Sequence, residues 1–289
     1  MSEEEIVVEA EYLPLTTEQD NTVDPLLSGF TWYKPPPSFD KIHKTGEYDW
    51  KITGHDMQVL TSSVPAGQHI ETEVGSFVYM HPDMKTEVGF TLCGAGGCSE
   101  GCPRILGGES CVKVYLKNDT NSEGYVGLTP NYPAKIVPIK FGVNADAGSS
   151  IIAQPGSYMT QIGDVKVGHD CDCGPRTCCC AGFGVCRQKI SGTEDSIAFV
   201  TAGGTIVYKE LGEDETIIVD SGSVLAHDET VQLGITPNGR FCTFLCGGEG
   251  CCSTTLSGPG KVWMQSMNFQ KFKNNVQFTV NEDDIKTPT

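Results

Sequence analysis

The sequence predicts an all-β protein whose body is built from three tandem copies of one β unit, and three observations indicate this. Short runs that alternate apolar and polar residues, such as Val112–Leu116 and Thr216–Val219, are typical of strands. No stretch of about 12 residues holds the 3.6-residue apolar period of a helix. The chain, which has 34 glycines, also repeats itself, with several of its glycines at matched places. The predicted class is therefore a turn-rich β body of three repeats.

The chain ends differ in character from this body. Residues 1–48 begin with an acidic run, continue through Pro35–Pro37 and hold no sustained periodicity, which predicts a flexible N-terminal arm. Residues 281–289 are predicted to be an acidic flexible tail. The body between them is divided into repeat 1 (49–137), repeat 2 (138–203) and repeat 3 (204–280).

The repeat is defined by matched offsets. In each copy an isoleucine precedes a Gly-Ser pair by five residues, and the pairs are Gly75–Ser76, Gly156–Ser157 and Gly222–Ser223. A further glycine follows in each copy, at Gly89, Gly168 and Gly234. Glycines at matched places suggest turns or bulges that set the same corner in each copy. Downstream, the matched apolar residues are Leu106, Ile190 and Leu256, each two residues before a glycine.

Charge restricts the partners. The chain has 37 acidic and 20 basic residues, for a net charge of −17, part of it concentrated in the first 30 residues. Such a charge opposes phosphate contact, so no nucleic-acid partner is expected. The acidic N-terminus lacks the basic start and apolar run of a secretory signal, and no apolar stretch reaches the length of a membrane span. A cytoplasmic location is predicted.

The 14 cysteines fall in the same part of each repeat. They form three clusters, which are Cys93, Cys98, Cys102 and Cys111, then Cys171, Cys173, Cys178, Cys179, Cys180 and Cys186, then Cys242, Cys246, Cys251 and Cys252. One cysteine lies four residues before the matched Leu or Ile in every copy, at Cys102, Cys186 and Cys252. This shared offset predicts that the three loops are equivalent.

Three interpretations of these thiols stay open. Free cysteines pack as small apolar residues, which needs no cofactor. Zinc or an iron–sulfur cluster is the alternative, with ligands drawn from Cys93, Cys98, Cys102, Cys171, Cys173, Cys178, Cys179, Cys180, Cys186, Cys246, Cys251 and Cys252. The spacing is irregular and holds no pair of C-x₂-C knuckles. Redox or lipid-modified thiols are the third interpretation, and acylation of Cys178–Cys180 would bring membrane association.

No set of residues points to catalysis. The phosphate-binding G-x-x-x-x-G-K-[ST] loop and the G-x-S-x-G nucleophile motif are both absent. The six histidines are scattered, and His81 and His227, each followed by a nearby aspartate, are best explained as polar turns. The sequence therefore predicts a non-enzymatic protein.

Two stretches resemble a known family. Trp50–Val59 reads Trp-Lys-Ile-Thr-Gly-His-Asp-Met-Gln-Val, and Gly258–Ser266 reads Gly-Pro-Gly-Lys-Val-Trp-Met-Gln-Ser. Together with the Gly222–Ser223 corner they resemble the "altered inheritance of mitochondria" family of β proteins, over roughly residues 50–267.

That resemblance implies an architecture and a role. Members resemble three fused copies of the trp RNA-binding attenuation protein fold, a short double-stranded, jelly-roll-like β-helix in a sandwich or barrel-type body. The resemblance implies a homotrimer that closes a ring, without established enzymatic activity, and it makes a mitochondrial or membrane-associated location the alternative. The predicted function is a non-enzymatic scaffold acting as this ring, with a partner that the sequence does not name. A metal-binding or redox module built on the cysteine loops is the alternative.

Overall fold

The computed structural model describes residues 28–33, 41–90, 112–143, 145–171, 186–237, 252–269 and 272–273. Most of the predicted arm, at 1–27 and 34–40, and the predicted tail at 281–289 lie outside these residues. The regular secondary structure of the described part is nearly all β-strand, which confirms the predicted class. No helix within it is long and apolar enough to cross a membrane.

The described residues contain twenty strands. Three precede the repeating part and are β1 (Thr31–Trp32), β2 (His43–Thr45) and β3 (Tyr48–Thr53). Unit 1 consists of β4 (Val59–Val64), β5 (His69–Glu73), β6 (Phe77–Met80), β7 (Lys85–Phe90), β8 (Val112–Lys117) and β9 (Gly124–Leu128). Unit 2 consists of β10 (Lys135–Lys140), β11 (Ser150–Ala153), β12 (Tyr158–Ile162), β13 (Val165–Cys171), β14 (Cys186–Gly192) and the first half of β15 (Ile197–Leu211). Unit 3 consists of the second half of β15, then β16 (Thr216–Val219), β17 (Val224–Asp228), β18 (Gln232–Pro237), β19 (Cys252–Ser257) and β20 (Gly260–Met267).

The strands of each unit pair in the same antiparallel order. The first and third strands both pair with the sixth, as β4 and β6 do with β9. The second and fourth strands both pair with the fifth, as β5 and β7 do with β8. Units 2 and 3 follow the same order. The third strand also carries one register shift at the same place in each unit, at Val78, Met159 and Leu225.

The units share strands instead of being joined by linkers. Residues Ile197–Ala202 of β15 pair with β10, and residues Ile206–Leu211 pair with β20. The change of partner falls at Gly203–Gly204, where Gly204 has a φ of +70° that favours glycine. The predicted boundaries after 137 and 203 therefore fall inside β10 and β15.

The sequence prediction starts the body at Asp49, but the folded body begins earlier in the chain. β1 pairs with β15, and the following Tyr33 donates its backbone N–H to the Ile206 carbonyl at 2.9 Å. β2 pairs with β3 and brings Thr45 within 2.9 Å of the Trp50 indole nitrogen. Tyr33 and Trp50 are both buried. Parts of the predicted arm therefore contribute strands and core contacts.

Three clusters of buried apolar side chains fill the body. The first joins units 1 and 2, with Leu60, Leu116 and Val126 packed against Ile197 and Phe199. The second joins units 2 and 3, and it includes Ile151, Ile190 and Leu225. The third and smallest lies within unit 3 and consists of Leu211, Val224, Val231, Leu256 and Val262. The first two clusters are each completed by side chains from a following unit.

Candidate functional site

The three cysteine clusters occupy corresponding places in the fold. Segment 91–111 joins β7 to β8, segment 172–185 joins β13 to β14, and segment 238–251 joins β18 to β19. In each case the two flanking strands pair with one another up to the segment, at Phe90 with Val112, Cys171 with Cys186, and Pro237 with Cys252. Each cluster therefore lies in or next to the segment that connects the fourth and fifth strands of a unit.

Few of the predicted ligands lie in the described residues. Cys171, Cys186 and Cys252 end strands, and the structure brings Cys171 and Cys186 directly opposite one another. The other predicted ligands lie outside, and they are Cys93, Cys98, Cys102, Cys173, Cys178, Cys179, Cys180, Cys246 and Cys251. Within the described part of the chain, no three metal-ligating side chains lie together.

The shared cysteine offset is corrected by the strand registers. Ile151 lies opposite Ile190 and Ile217 opposite Leu256, and the corresponding partner of Ile70 is Leu116. Leu106 was matched by spacing alone and lies outside the described residues. Counting back four residues from Leu116 gives Val112, so Cys102 does not correspond to Cys186 and Cys252.

Neighbouring units are joined by one kind of strand pairing. The second strand of a unit pairs with the third strand of the next, as β5 does with β12 and β11 with β17. At the first of these junctions Thr72 lies opposite Thr160. The Thr72 hydroxyl donates to the Met159 carbonyl at 3.1 Å, and the Thr160 hydroxyl donates to the Glu71 carbonyl at 2.7 Å. We call these two pairings the internal junctions.

A buried histidine lies at the β11–β17 internal junction. His227 lies opposite Ile152, and its Nδ1 is 2.8 Å from the Asp228 carbonyl oxygen. Burial lowers the pKa of His227 to about 4, the backbone contact raises it, and the charges of Arg187 and Asp170 act in opposite directions. His227 Nε2 and Arg187 Nε are buried without a hydrogen-bond partner. The junction therefore holds a neutral imidazole.

The two histidines that the sequence matched differ in setting. His81 forms a turn with Asp83, whose backbone N–H lies 3.3 Å from His81 Nδ1. His227 instead lies inside β17, so the polar-turn interpretation is wrong for it. Gln161 takes the place of His227 at the β5–β12 junction. Each of these two residues lies three positions after the first residue of its strand, which directly follows the Gly-Ser pair. Sequence spacing alone does not reveal this difference in burial.

Two strands lack the pairing that their counterparts have. β6 is a third strand, yet it ends its sheet in the order β2-β3-β4-β9-β6. β16 is a second strand, yet it ends its sheet in the order β16-β19-β18. No strand among the described residues pairs with the outer side of either. We call these two strand edges the open edges.

The open edges expose apolar side chains that are buried elsewhere in the chain. Val78 in β6 is 44% exposed, whereas Met159 and Leu225 at the same place in β12 and β17 are 1% and 0% exposed. Ile218 in β16 is 70% exposed, whereas Ile152 at the same place in β11 is 4% exposed. The sequence analysis predicted Thr216–Val219 as a strand but did not identify either strand as an open edge, although both are free of charged residues.

Comparisons with known proteins place the chain in a family. A model of the family described as Mitochondrial biogenesis AIM24 matches residues 50–267. The chain belongs to this family. The match confirms the resemblance found in the sequence at the level of the AIM24 family. Among curated proteins, none matches significantly.

A solved structure also has the same fold. The crystal structure of a Streptococcus pyogenes protein is similar with a TM-score of 0.59 and 19% sequence identity. The similarity covers 80% of this chain and 98% of that chain. At this identity the likeness concerns the fold alone.

Proposed function

We propose that this AIM24-family chain is a non-enzymatic scaffold that acts as a homotrimeric ring, in which each unit resembles the attenuation-protein fold. The observation that carries the proposal is the exposure of Val78 and Ile218 at the two open edges. Among the described strands, β6 has no second strand beside its outer edge and β16 has no third strand beside its outer edge, so each open edge offers the strand that the other is missing. A contact that joins two different surfaces of identical chains forms a closed ring when the rotation from each copy to the next completes a full turn after a whole number of copies.

The internal junctions supply the register of the contact between copies. Ala153 lies opposite Ala226 and Ile152 opposite His227. At the corresponding positions of β16 and β6 in two copies, Val219 would lie opposite Tyr79 and Ile218 opposite Met80. Pairing in this register would place apolar side chains opposite one another, which favours cross-strand contact.

The third core cluster supports the same contact. One of the two sheets around this cluster is formed, in the described residues, by the three strands β16-β19-β18. The corresponding sheet beside each of the other clusters continues into a third strand of the next unit. Ile217 and Val219 are only partly buried against this cluster. Addition of β6 from a neighbouring copy would cover them and extend the core across the contact.

The first test is the mass of the full chain in solution. Light scattering after size-exclusion chromatography is expected to give three times the 31.1 kDa of one chain. The variant Ile218→Asp should elute as a monomer, because the contact would bury an unpaired carboxylate. Ile42→Asp is the matched control, since Ile42 is also exposed but lies outside the strands. A monomeric wild-type chain at micromolar concentration would overturn the proposal.

The cysteine hairpins support a second candidate, a metal-binding or redox module. Each cluster falls between two strands that pair with one another, as β13 pairs with β14 and β18 with β19. Several thiolates at short spacing suit tetrahedral metal binding. Elemental analysis of anaerobically purified protein is expected to find zinc or iron if the metal version is correct. Fewer than about 0.1 metal ions per chain would exclude that version.

The place of action is also a proposal. The family description supports a role in mitochondria, and the cytoplasm is the location that the sequence predicts. Membrane association through acylated Cys178–Cys180 is the remaining version. Cell fractionation with and without hydroxylamine distinguishes these three, because hydroxylamine releases a protein that is held by thioester-linked chains.

A further inference from the structure

The hairpin formed by β13 and β14 ends in two cysteines at directly opposite positions. Cys171 pairs with Cys186, and the register runs from there to Val165 with Gly192 without a shift. The corresponding pairs are Phe90 with Val112 in unit 1 and Pro237 with Cys252 in unit 3. Among these three hairpin ends, only that of unit 2 has a cysteine on both strands.

The hydrogen bonds at the other end of the hairpin define the type of pair. Gly192 donates its N–H to the Ser149 carbonyl at 3.0 Å, which points it away from β13. The pair Val165 with Gly192 is therefore a non-hydrogen-bonded pair, and every second pair along a regular antiparallel ladder is of the same type. Cys171 with Cys186 lies an even number of positions away, so it is also a non-hydrogen-bonded pair.

That pair type brings two backbones to a distance that a disulfide can join. Non-hydrogen-bonded pairs hold their Cα atoms about 4.5 Å apart, and disulfides join Cα atoms about 4.4–6.8 Å apart. The neighbouring pair is fixed by an ion pair, in which Arg187 Nη2 lies 3.1 Å from Asp170 Oδ2. The register that places the cysteines opposite one another is therefore held by a buried arginine one residue away.

We propose that Cys171 and Cys186 form a reversible cross-strand disulfide that closes the base of segment 172–185. The oxidant is a low-molecular-weight disulfide such as glutathione disulfide. One cysteine thiolate attacks it, expels one glutathione and forms a mixed disulfide, and the second thiolate then attacks the protein sulfur and expels the second glutathione. The two thiols lose two protons and two electrons, and these electrons convert one glutathione disulfide into two glutathione molecules.

The disulfide is independent of the proposed ring. It lies on the fourth and fifth strands of unit 2, whereas the open edges lie on β6 and β16. Closing the base of the segment restricts the unfolded chain, so the oxidised protein is expected to melt a few degrees higher than the reduced protein.

The experiment uses the full chain with Cys173, Cys178, Cys179 and Cys180 replaced by serine. After incubation with glutathione disulfide and then iodoacetamide, cleavage at lysine gives peptide 167–189, which contains Cys171 and Cys186. The expected peptide has lost two hydrogens and carries neither glutathione nor alkyl groups. The same variant with Cys186→Ser is the control, and it should carry one glutathione on Cys171.

A peptide with glutathione or an alkyl group on both cysteines would overturn the proposal. Peptide mapping of the oxidised wild-type chain provides a second measurement, which does not depend on the serine substitutions. Fragmentation should assign a link between Cys171 and Cys186, and a predominant link to any other cysteine would also overturn the proposal.

Discussion

The outer edge of β10 and the open edges of β6 and β16 differ in how their backbone groups are satisfied. On β10 the outward N–H of Ile136 donates to Gln58 Oε1 at 2.7 Å, and that of Lys140 donates to Asp146 Oδ2 at 3.1 Å. Between them Pro138 has no N–H to offer. Within the described residues, β6 and β16 have no such groups on their outer sides. The outer edge of β10 is therefore blocked at each outward N–H, whereas the open edges of β6 and β16 are left available for pairing.

The difference teaches that exposed strand edges in this chain are of two kinds. Proteins block unused edges with prolines, charged side chains and capping groups, because an open edge can pair with another chain. β7 and β13 are also terminal in their sheet, and they carry Lys85 and Lys166. β18 is terminal and uncharged, but it ends at Pro237, which has no N–H to offer. β6 and β16 carry neither a charged residue nor a proline. This contrast is expected if those two edges are used for assembly.

The largest expected effect comes from a charge on the open edge of β6. Val78→Asp is expected to convert the assembly fully to monomers, because pairing would bury the carboxylate where Met159 and Leu225 are buried in the other units. Sedimentation equilibrium measures the mass. Val143→Asp is the matched control, since Val143 is exposed in a turn. Assembly that survives Val78→Asp would show that β6 is not at the contact.

Mixing two broken variants tests whether the contact joins different edges. Ile218→Asp keeps an intact β6, and Val78→Asp keeps an intact β16, so an equimolar mixture can form one contact per pair of chains. Native mass spectrometry is expected to find a heterodimer that neither variant forms alone. If β16 instead paired with β16 of another copy, Val78→Asp alone would form dimers, and this would contradict the ring.

Acid is expected to weaken the internal junction at His227. Its folded pKa of about 4 lies below the ordinary 6.5, so the unfolded chain binds the extra proton between these values. The contribution of His227 to stability is therefore fully present above pH 6.5 and falls by about 3 kcal/mol as the pH drops towards 4. Urea unfolding between pH 4 and 7.5 measures this loss.

The control for the acid effect is His227→Gln, which copies Gln161 at the same place in unit 2. This variant should lose most of the pH dependence between 6.5 and 4. The charged neighbours Arg187, Asp170 and Asp228 remain in the variant, so an unchanged slope would assign the acid effect to them.

The smallest expected effect concerns the blocked edge. Gln58→Ala removes the acceptor for Ile136 N–H and the two bonds that Gln58 Nε2 donates to the Gly54 and His55 carbonyls. A loss of about 1–3 kcal/mol in the free energy of unfolding is expected. Gln232→Ala, on the exposed side of β18, should change it by less than about 0.5 kcal/mol. An equal effect of the two would show that Gln58 does not block the edge.

Much of the fold could be predicted from sequence because its signals are local. Alternating runs and Gly-Ser corners located the strands, and β6, β12 and β17 each begin just after such a corner. Equivalence across the cysteine segments could not be predicted in the same way. Segment 91–111 is longer than its counterparts, and only the pairing of Ile70 with Leu116 shows where the first unit resumes.

The open edges could not be identified from sequence for a different reason. Val78, Met159 and Leu225 are all apolar, and only the presence or absence of a neighbouring strand separates the exposed residue from the two buried ones. The candidate cysteine ligands were predicted from composition and spacing, and the described residues hold three of the 14 cysteines. The pairing of Cys171 with Cys186 depends on strand register, which spacing does not give.

The most direct test of the ring places a photo-crosslinking benzoylphenylalanine at position 218 of the full chain. Benzophenones react readily with methionine side chains, and the register of the internal junctions puts Met80 of another copy opposite position 218. Mass spectrometry of the irradiated protein is expected to find a link between β16 of one copy and Met80 of the next. Links only within a single copy, or between β16 strands of two copies, would contradict the account.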